Sequence, residues 1–159
     1  MLETWRWHSE PRPSGPTVVV DVDGVVSDAS SRQHYLNGER QDWKGFFEAC
    51  GEDMPIEEVG RLLSLLDSSL VVVLLTARPV RVRPQTLAWL DRYSVRWDLL
   101  IMREEPDYGL GHEFKRRSVR HLRESGYDVR LAFEDDRRNA AMFREEGIPC
   151  VYIHSGYYD

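Results

Sequence analysis

The stretch Thr17-Val18-Val19-Val20-Asp21-Val22-Asp23-Gly24 governs how the rest of the chain is read. A β-branched run ends in two carboxylates two positions apart, followed by a glycine. Residues i and i+2 of an extended strand point the same way, so Asp21 and Asp23 share one side of the strand mouth. A carboxylate there can attack phosphorus while a second one protonates the leaving oxygen. Gly24 would let backbone N–H groups approach the phosphoryl oxygens. A strand ending in a solvated Asp turn accounts for the same residues, and the motif alone leaves both readings open.

Working outward, apolar runs of strand length alternate with helix-like segments. The strand candidates are Thr17–Val22, Leu70–Leu75, Trp97–Met102, Val129–Phe133 and Cys150–Ile153. They are short and mostly apolar on both faces, as in a parallel sheet covered on both sides. Helices are expected over Pro55–Asp67, Pro84–Tyr93, His112–Ser125 and Arg137–Glu146, with Asp53 as a cap for the first and Gly147 as the stop of the last. The pattern predicts an α/β doubly wound, Rossmann-like domain around a central parallel five-stranded sheet. Such sheets bind ligands beyond the carboxyl ends of their strands, at a switch point in strand order. Residues 1–16 read as a tail broken by Pro11, Pro13, Gly15 and Pro16, with Trp5 and Trp7 expected to dock on the domain. Residues 17–159 then form a single domain. Residues 27–53 exceed an ordinary βα loop and read as a small insertion or partial lid, too short for a folded cap domain.

Three further signatures fall at strand ends or at a helix start facing that edge. Thr76 and Arg78 follow the second strand, where a hydroxyl can donate to a phosphoryl oxygen and an Arg can grip phosphate bidentately; a capping Thr and a surface Arg are the alternative. Lys115 opens a basic helix. At 3.6 residues per turn Val119 and Leu122 fall within about 40° of it, so it lies on the apolar side, where a charge needs a partner. Only Lys44 and Lys115 of the 21 basic residues are lysines, so a compact ammonium stands out against arginine. Glu134-Asp135-Asp136 follow the fourth strand. Adjacent acids repel unless a cation or arginines neutralise them, and oxygen ligands beside a phosphate suit magnesium. The same acids could cap the following helix, and the two roles are compatible.

The bulk properties narrow the field. A chain of 159 residues can bury a proper core. No apolar stretch approaches the roughly 18–20 residues that cross a bilayer, and Met1 to Pro16 has no apolar signal region. Cys50 and Cys150 are too few for a disulfide framework and read as free thiols in a reducing cytoplasm. A net charge of −6 argues against a broad non-specific grip on nucleic acid. The five histidines show no metal-ligand spacing, and neither a Ser/His/Asp arrangement nor a P-loop is present.

In this order and at these spacings the four signatures resemble the haloacid dehalogenase superfamily, over essentially Thr17 to Ile153. The resemblance implies that Asp21 is a nucleophile forming an aspartyl-phosphate and that Asp23 is the acid for the leaving group and then the base for water. It implies that Thr76 and Lys115 hold phosphoryl oxygens. Asp135, with Asp21 and the main-chain carbonyl of Asp23, would bind Mg2+, and Asp136 would support that shell. The presence of Asp23 implies a phosphatase rather than a dehalogenase. Val25 stands where Thr is more frequent. Within the superfamily the chain is similar to the phosphatase domain of phage-type polynucleotide kinase–phosphatases. That likeness rests on Asp21-Val22-Asp23-Gly24 with Arg32, on Thr76-Ala77-Arg78, and on the interval from Lys115 to Leu131-Ala132-Phe133-Glu134-Asp135-Asp136-Arg137. Asp42-Trp43 with Phe46-Phe47 also resembles the inserted region of bacterial relatives. Arg32 and Arg78 would then contact substrate phosphate. Relatives carry an acid just upstream of the motif lysine; here the residues are Gly111-His112-Glu113, with Glu113 the nearest substitute.

The reading that follows is a magnesium-dependent phosphomonoesterase acting on a DNA or RNA 3′-phosphate end or a nucleotide. Arg32, Arg78, Arg81 and Arg83 are available to follow a phosphate backbone, although no clear stacking platform is visible. The kinase half is absent, so the resemblance implies phosphatase activity alone, with a separate kinase or ligase as the expected partner. The competing readings are a small-molecule phosphatase for nucleotides or sugars and a non-catalytic phosphate-binding module.

Overall fold

The computed structural model describes residues 3–104 and 109–158. In chain order the elements are β1 (Trp5–Trp7), β2 (Pro16–Val20), β3 (Ser27–Asp28), α1 (Trp43–Glu48), β4 (Met54–Pro55), α2 (Glu57–Leu65), β5 (Val71–Pro79), α3 (Arg83–Arg92), β6 (Leu99–Arg103), α4 (Gly111–Glu124), β7 (Asp128–Glu134), α5 (Arg137–Glu145) and β8 (Cys150–Tyr152). Six strands form one sheet in the order β1-β6-β5-β2-β7-β8. The five expected strands run parallel to one another, and β1 adds an antiparallel edge on β6.

That edge strand comes from the segment read as a tail. The prolines that break structure lie downstream of it. Trp5 and Trp7 flank Arg6 with the period of a strand, and both rings meet Tyr127, with Trp5 also against His121. Three residues of backbone pairing, Trp5 to Ile101 through Trp7 to Leu99, are enough to hold the segment against β6 once those rings are packed.

Alternation along the central strands divides the core in two. Val18, Val20, Val72 and Leu74 face Val59, Leu63, Trp89 and Leu90 from α2 and α3. Val19, Val71, Val73 and Leu75 face Phe114, Val119, Leu122, Met142 and Phe143 from α4 and α5. Burial on both faces explains why these strands read as continuous apolar runs. The chain steps from β2 to β5 and β6 on one side, then returns to β7 and β8 on the other. The carboxyl end of β2 therefore sits at the switch point, the place where such sheets open a crevice for a ligand.

The insertion closes on itself through the short antiparallel pair β3–β4, Ser27 with Pro55 and Asp28 with Met54. Between them lie a 3-10 turn at Ser30–Leu36, then α1, then a second turn at Ala49–Glu52. Helix α2 begins after Ile56, not after Asp53. Asp53 is 1% exposed and accepts hydrogen bonds from the Arg32 side chain instead. Its sequence position resembles a cap, but its carboxylate is claimed by a buried cation, which outweighs a cap bond at a solvated helix end.

Candidate active site

At the carboxyl end of β2, Asp21 is buried. Its Oδ1 accepts from Lys115 Nζ at 2.9 Å, and the same ammonium donates to Glu134 Oε2 at 2.8 Å. Lys115 is 2% exposed on the inner face of α4. Burial lowers its pKa, but the charges of Asp21 and Glu134 more than reverse this and hold it above the ordinary lysine value. The lysine read as an unusual charge on an apolar face is therefore paired twice. Glu113, the expected stand-in for the family's upstream acid, is directed away: its side chain is 49% exposed and lies 3.5 Å from His112. Glu134 braces the lysine in its place.

Oxygens of Asp21, Glu134 and Asp135 lie within 4.8 Å of one another, all three residues buried. Among the described residues, no side chain or backbone N–H lies in hydrogen-bond geometry to either carboxylate oxygen of Asp135. Burial, followed by the charge of Asp21, pushes the pKa of Asp135 up, and the same two causes raise Glu134. Three crowded carboxylates against one ammonium leave unneutralised negative charge, and a hard divalent cation with oxygen ligands fits that deficit. Glu134 was not among the metal residues expected from the sequence. Asp136, expected to support the metal's shell and compatible with a cap, does cap α5, its Oδ1 accepting from Arg138 N at 2.9 Å.

Gly24 adjoins this cluster, its own N–H donating to the Ser27 carbonyl at 2.9 Å. Its φ is +83°, and a Cβ there would stand 2.1 Å from Asp135 Oδ2. Glycine is required for the backbone turn and for the space that Asp135 fills.

Asp23 belongs to a second charge network. Arg32 Nη2 donates to its Oδ1 at 2.6 Å and Arg78 Nη2 at 2.7 Å. Burial alone would raise the Asp23 pKa, but the two guanidinium groups, Arg78 first, lower it to about 2. Behind the arginines lies Asp53, the main residue that sequence reasoning missed. Arg32 donates to it through Nε (2.7 Å) and Nη2 (2.6 Å), and Ser27 Oγ donates at 2.6 Å. Arg78 Nη2 lies 3.5 Å from the same carboxylate. Two buried arginines thus face two aspartates. Thr76 is buried beside them, its Oγ1 accepting from Arg78 N at 3.1 Å while its O–H remains a donor. Arg81 is exposed on the turn before α3 and Arg83 donates to the carbonyl of Glu3, whereas Arg32 and Arg78 are buried on Asp23. The C-terminal residues cross nearby: Tyr157 Oη donates to Asp28 Oδ1 at 3.1 Å, and Ser155 packs against Gly24. Cys50 and Cys150 are free. Among the described residues no helix is long and apolar enough to cross a membrane.

Asp135→Asn is expected to separate stability from cation binding. The folded pKa of Asp135 is raised, so its contribution to stability is complete below the unfolded value near 4 and is lost as pH rises through the folded value. Without divalent cation, the protein should melt lower at pH 8 than at pH 5, and added Mg2+ should restore the loss. Asp135→Asn relieves the crowding. The variant should be more stable without metal by about 1–3 kcal/mol, or several degrees in Tm, and its melting should no longer respond to Mg2+. Calorimetry with and without chelator checks both arms. A variant that still gains stability from Mg2+ would place the cation elsewhere.

The chain matches the family model described as the polynucleotide kinase PNKP phosphatase domain over residues 15–158. No curated protein sequence matches it significantly. Among solved structures it is similar to a chain of the Pnkp1/Rnl/Hen1 complex, with a TM-score of 0.74 and 24% identity, over 94% of this chain and 50% of that one. It therefore spans about half the length of that neighbour. The class C acid phosphatase from Bacillus anthracis superposes with a TM-score of 0.65 at 18% identity, covering 92% of this chain and 69% of the other. A haloacid dehalogenase-like hydrolase, SP0104 from Streptococcus pneumoniae, does so at 0.60 and 13%, covering 90% and 86%. These neighbours share the α/β fold, and the family match spans the strand-end carboxylates, Lys115 and the arginine pair. The chain belongs to the polynucleotide kinase PNKP phosphatase domain family, phosphatases of the haloacid dehalogenase superfamily.

Proposed function

We propose that this domain removes the 3′-phosphate from a nucleic-acid end through an aspartyl-phosphate on Asp21. The observation that carries the reading is the side-by-side placement of two oppositely built carboxylates. Asp21 is held by Lys115 among acids, and Asp23, two residues on, is held by Arg32 and Arg78. A phosphoryl group entering at the switch point meets a nucleophile on one side and cationic donors on the other.

In the first half-reaction an Asp21 oxygen attacks phosphorus. The bond to the departing strand's 3′ oxygen breaks, and that oxygen takes a proton from Asp23. In the second, Asp23 accepts a proton from water, the water oxygen attacks phosphorus, and Asp21 leaves as the free carboxylate with release of inorganic phosphate. With Arg32 and Arg78 on it, Asp23 is ionised, as the second step requires. The first step requires those guanidinium N–H groups to move onto phosphoryl oxygens, which returns Asp23 toward the pKa its burial favours. The Thr76 hydroxyl and Lys115 supply the remaining donors. Mg2+, held by the carboxylates of Asp21 and Asp135 and the main-chain carbonyl of Asp23 with Glu134 alongside, would neutralise charge on the phosphoryl oxygens.

The insertion is a small β3–β4 loop with one short helix, so the crevice lacks a cap domain that would exclude a strand. By likeness to the Pnkp1/Rnl/Hen1 RNA repair complex, RNA ends are included among the substrates, with a separate kinase or ligase as partner. A panel of 3′- and 5′-phosphorylated DNA and RNA oligonucleotides, mononucleotides and sugar phosphates tests the proposal. Magnesium-dependent release from 3′ ends should exceed release from 5′ ends by about a hundredfold or more in kcat/KM. Mononucleotides or sugar phosphates turning over faster than oligonucleotides would favour the small-molecule reading. No release with any divalent metal would leave only phosphate binding.

A further inference from the structure

We infer that Trp43 is a stacking platform for a nucleobase next to the scissile phosphate, an inference that rests on the nucleic-acid reading above. Trp43 is 48% exposed, whereas a side chain of this size is ordinarily well covered. It is nonetheless firmly mounted. It opens α1 directly after Asp42, whose carboxylate accepts from Gly45 N at 2.9 Å. Gly45 is packed so closely that a Cβ would lie 2.9 Å from the Tyr35 ring, which fixes α1 against the preceding turn. One face of the Trp43 indole stacks on Phe47 at 5.8 Å, and Phe46 meets it edge-on at 5.7 Å.

The mount leads directly to the site. The Arg32 guanidinium lies over the Phe46 ring at 4.4 Å, and Arg32 Nη1 donates to the Phe46 carbonyl at 2.9 Å. The other end of that guanidinium holds Asp23. The group that would grip the substrate phosphate and the exposed indole are therefore joined through the Phe46 ring. A chain of net charge −6 has little charge with which to follow a phosphate backbone. An exposed π-face coupled to that guanidinium would supply affinity that does not depend on charge or base identity.

The test compares 3′-phosphorylated oligonucleotides that are fully based with the same strands carrying an abasic residue at the last or the adjacent nucleotide. In the wild type, one abasic placement should raise KM by about tenfold to a hundredfold, and Trp43→Ala should raise KM on the based strand and bring the based and abasic values together. Trp43→Phe should retain most of the difference. A second readout uses the Asp21→Asn protein, in which titration with the based strand should quench tryptophan fluorescence. That quench should vanish in Asp21→Asn/Trp43→Phe. The inference is overturned if Trp43→Ala raises KM equally on based and abasic strands, or if oligonucleotides are good substrates with no response to Trp43. If the wild type ignores oligonucleotides and hydrolyses only small phosphates, the nucleic-acid reading fails and the platform with it.

Discussion

Asp21→Asn is expected to abolish phosphate release, a loss of about 10⁴-fold or more, and to leave the protein folded. An amide nitrogen or oxygen in that position cannot form the acyl-phosphate, and no other carboxylate has the same relation to Asp23 and the arginines. Folding should survive because Lys115 keeps Glu134 at 2.8 Å, and removing one negative charge from the Asp21, Glu134 and Asp135 cluster relieves repulsion. Two measurements decide it. Rapid acid quench of the wild type with substrate should capture a protein carrying one phosphoryl group, labile to hydroxylamine, and the variant should carry none. Thermal melting of the variant without metal should match or exceed that of the wild type. Residual turnover within tenfold of wild type would exclude Asp21 as the nucleophile.

Asp53→Asn should produce the second-largest effect, through the arginines and not through the reacting atoms. In the native arrangement Arg32 and Arg78 are balanced by Asp23 and Asp53, all in a buried network. Removing the Asp53 charge leaves one buried cation uncompensated, and breaking a buried pair from one side costs about 3–5 kcal/mol. For a domain of this size that lowers Tm by roughly 6–20 °C. The surviving arginine contacts would fall more heavily on Asp23 and compete with the incoming phosphate. KM for phosphorylated substrates should rise by about tenfold, with a smaller fall in kcat, and Asp53→Glu should not rescue, because its longer side chain cannot keep both the Arg32 fork and the Ser27 hydroxyl. Steady-state kinetics on a temperature-matched sample separate the two components. Wild-type melting and KM together would remove Asp53 from the site.

The acids at the strand ends were legible because their spacing is local. Asp21 and Asp23 are fixed by strand period and Gly24 by the turn that follows. Lys115 was legible as an unusual charge on the apolar side of α4, yet its partner Asp21 is 94 residues away and could not be read from that helix. Glu134 was hidden among three adjacent acids: sequence alone does not say which of them faces Lys115, which the cation and which the helix end. Asp53 was hidden more completely, because an Asp ahead of Pro55, Ile56 and Glu57 has the form of a helix cap, and only the fold of the insertion turns it inward onto Arg32. Trp5–Trp7 was missed as a strand because an edge of three residues gains its stability from the β6 backbone and Tyr127, not from its own pattern.

Sequence by itself determined the alternation of apolar strands and amphipathic helices, the parallel sheet it implies, and the delivery of Asp21, Thr76 and Glu134-Asp135 to one edge. These follow from periodicities of two and 3.6 residues, which any stretch of chain carries within itself. Tertiary structure alone decided the pairing of charges: Lys115 between Asp21 and Glu134, Arg32 and Arg78 on Asp23 with Asp53 behind them, and Asp135 crowded against Asp21 and Glu134. The energy of a charge depends on burial and on distance through space. Neither quantity is defined until distant segments meet, and there the two aspartates of one short motif acquire opposite surroundings.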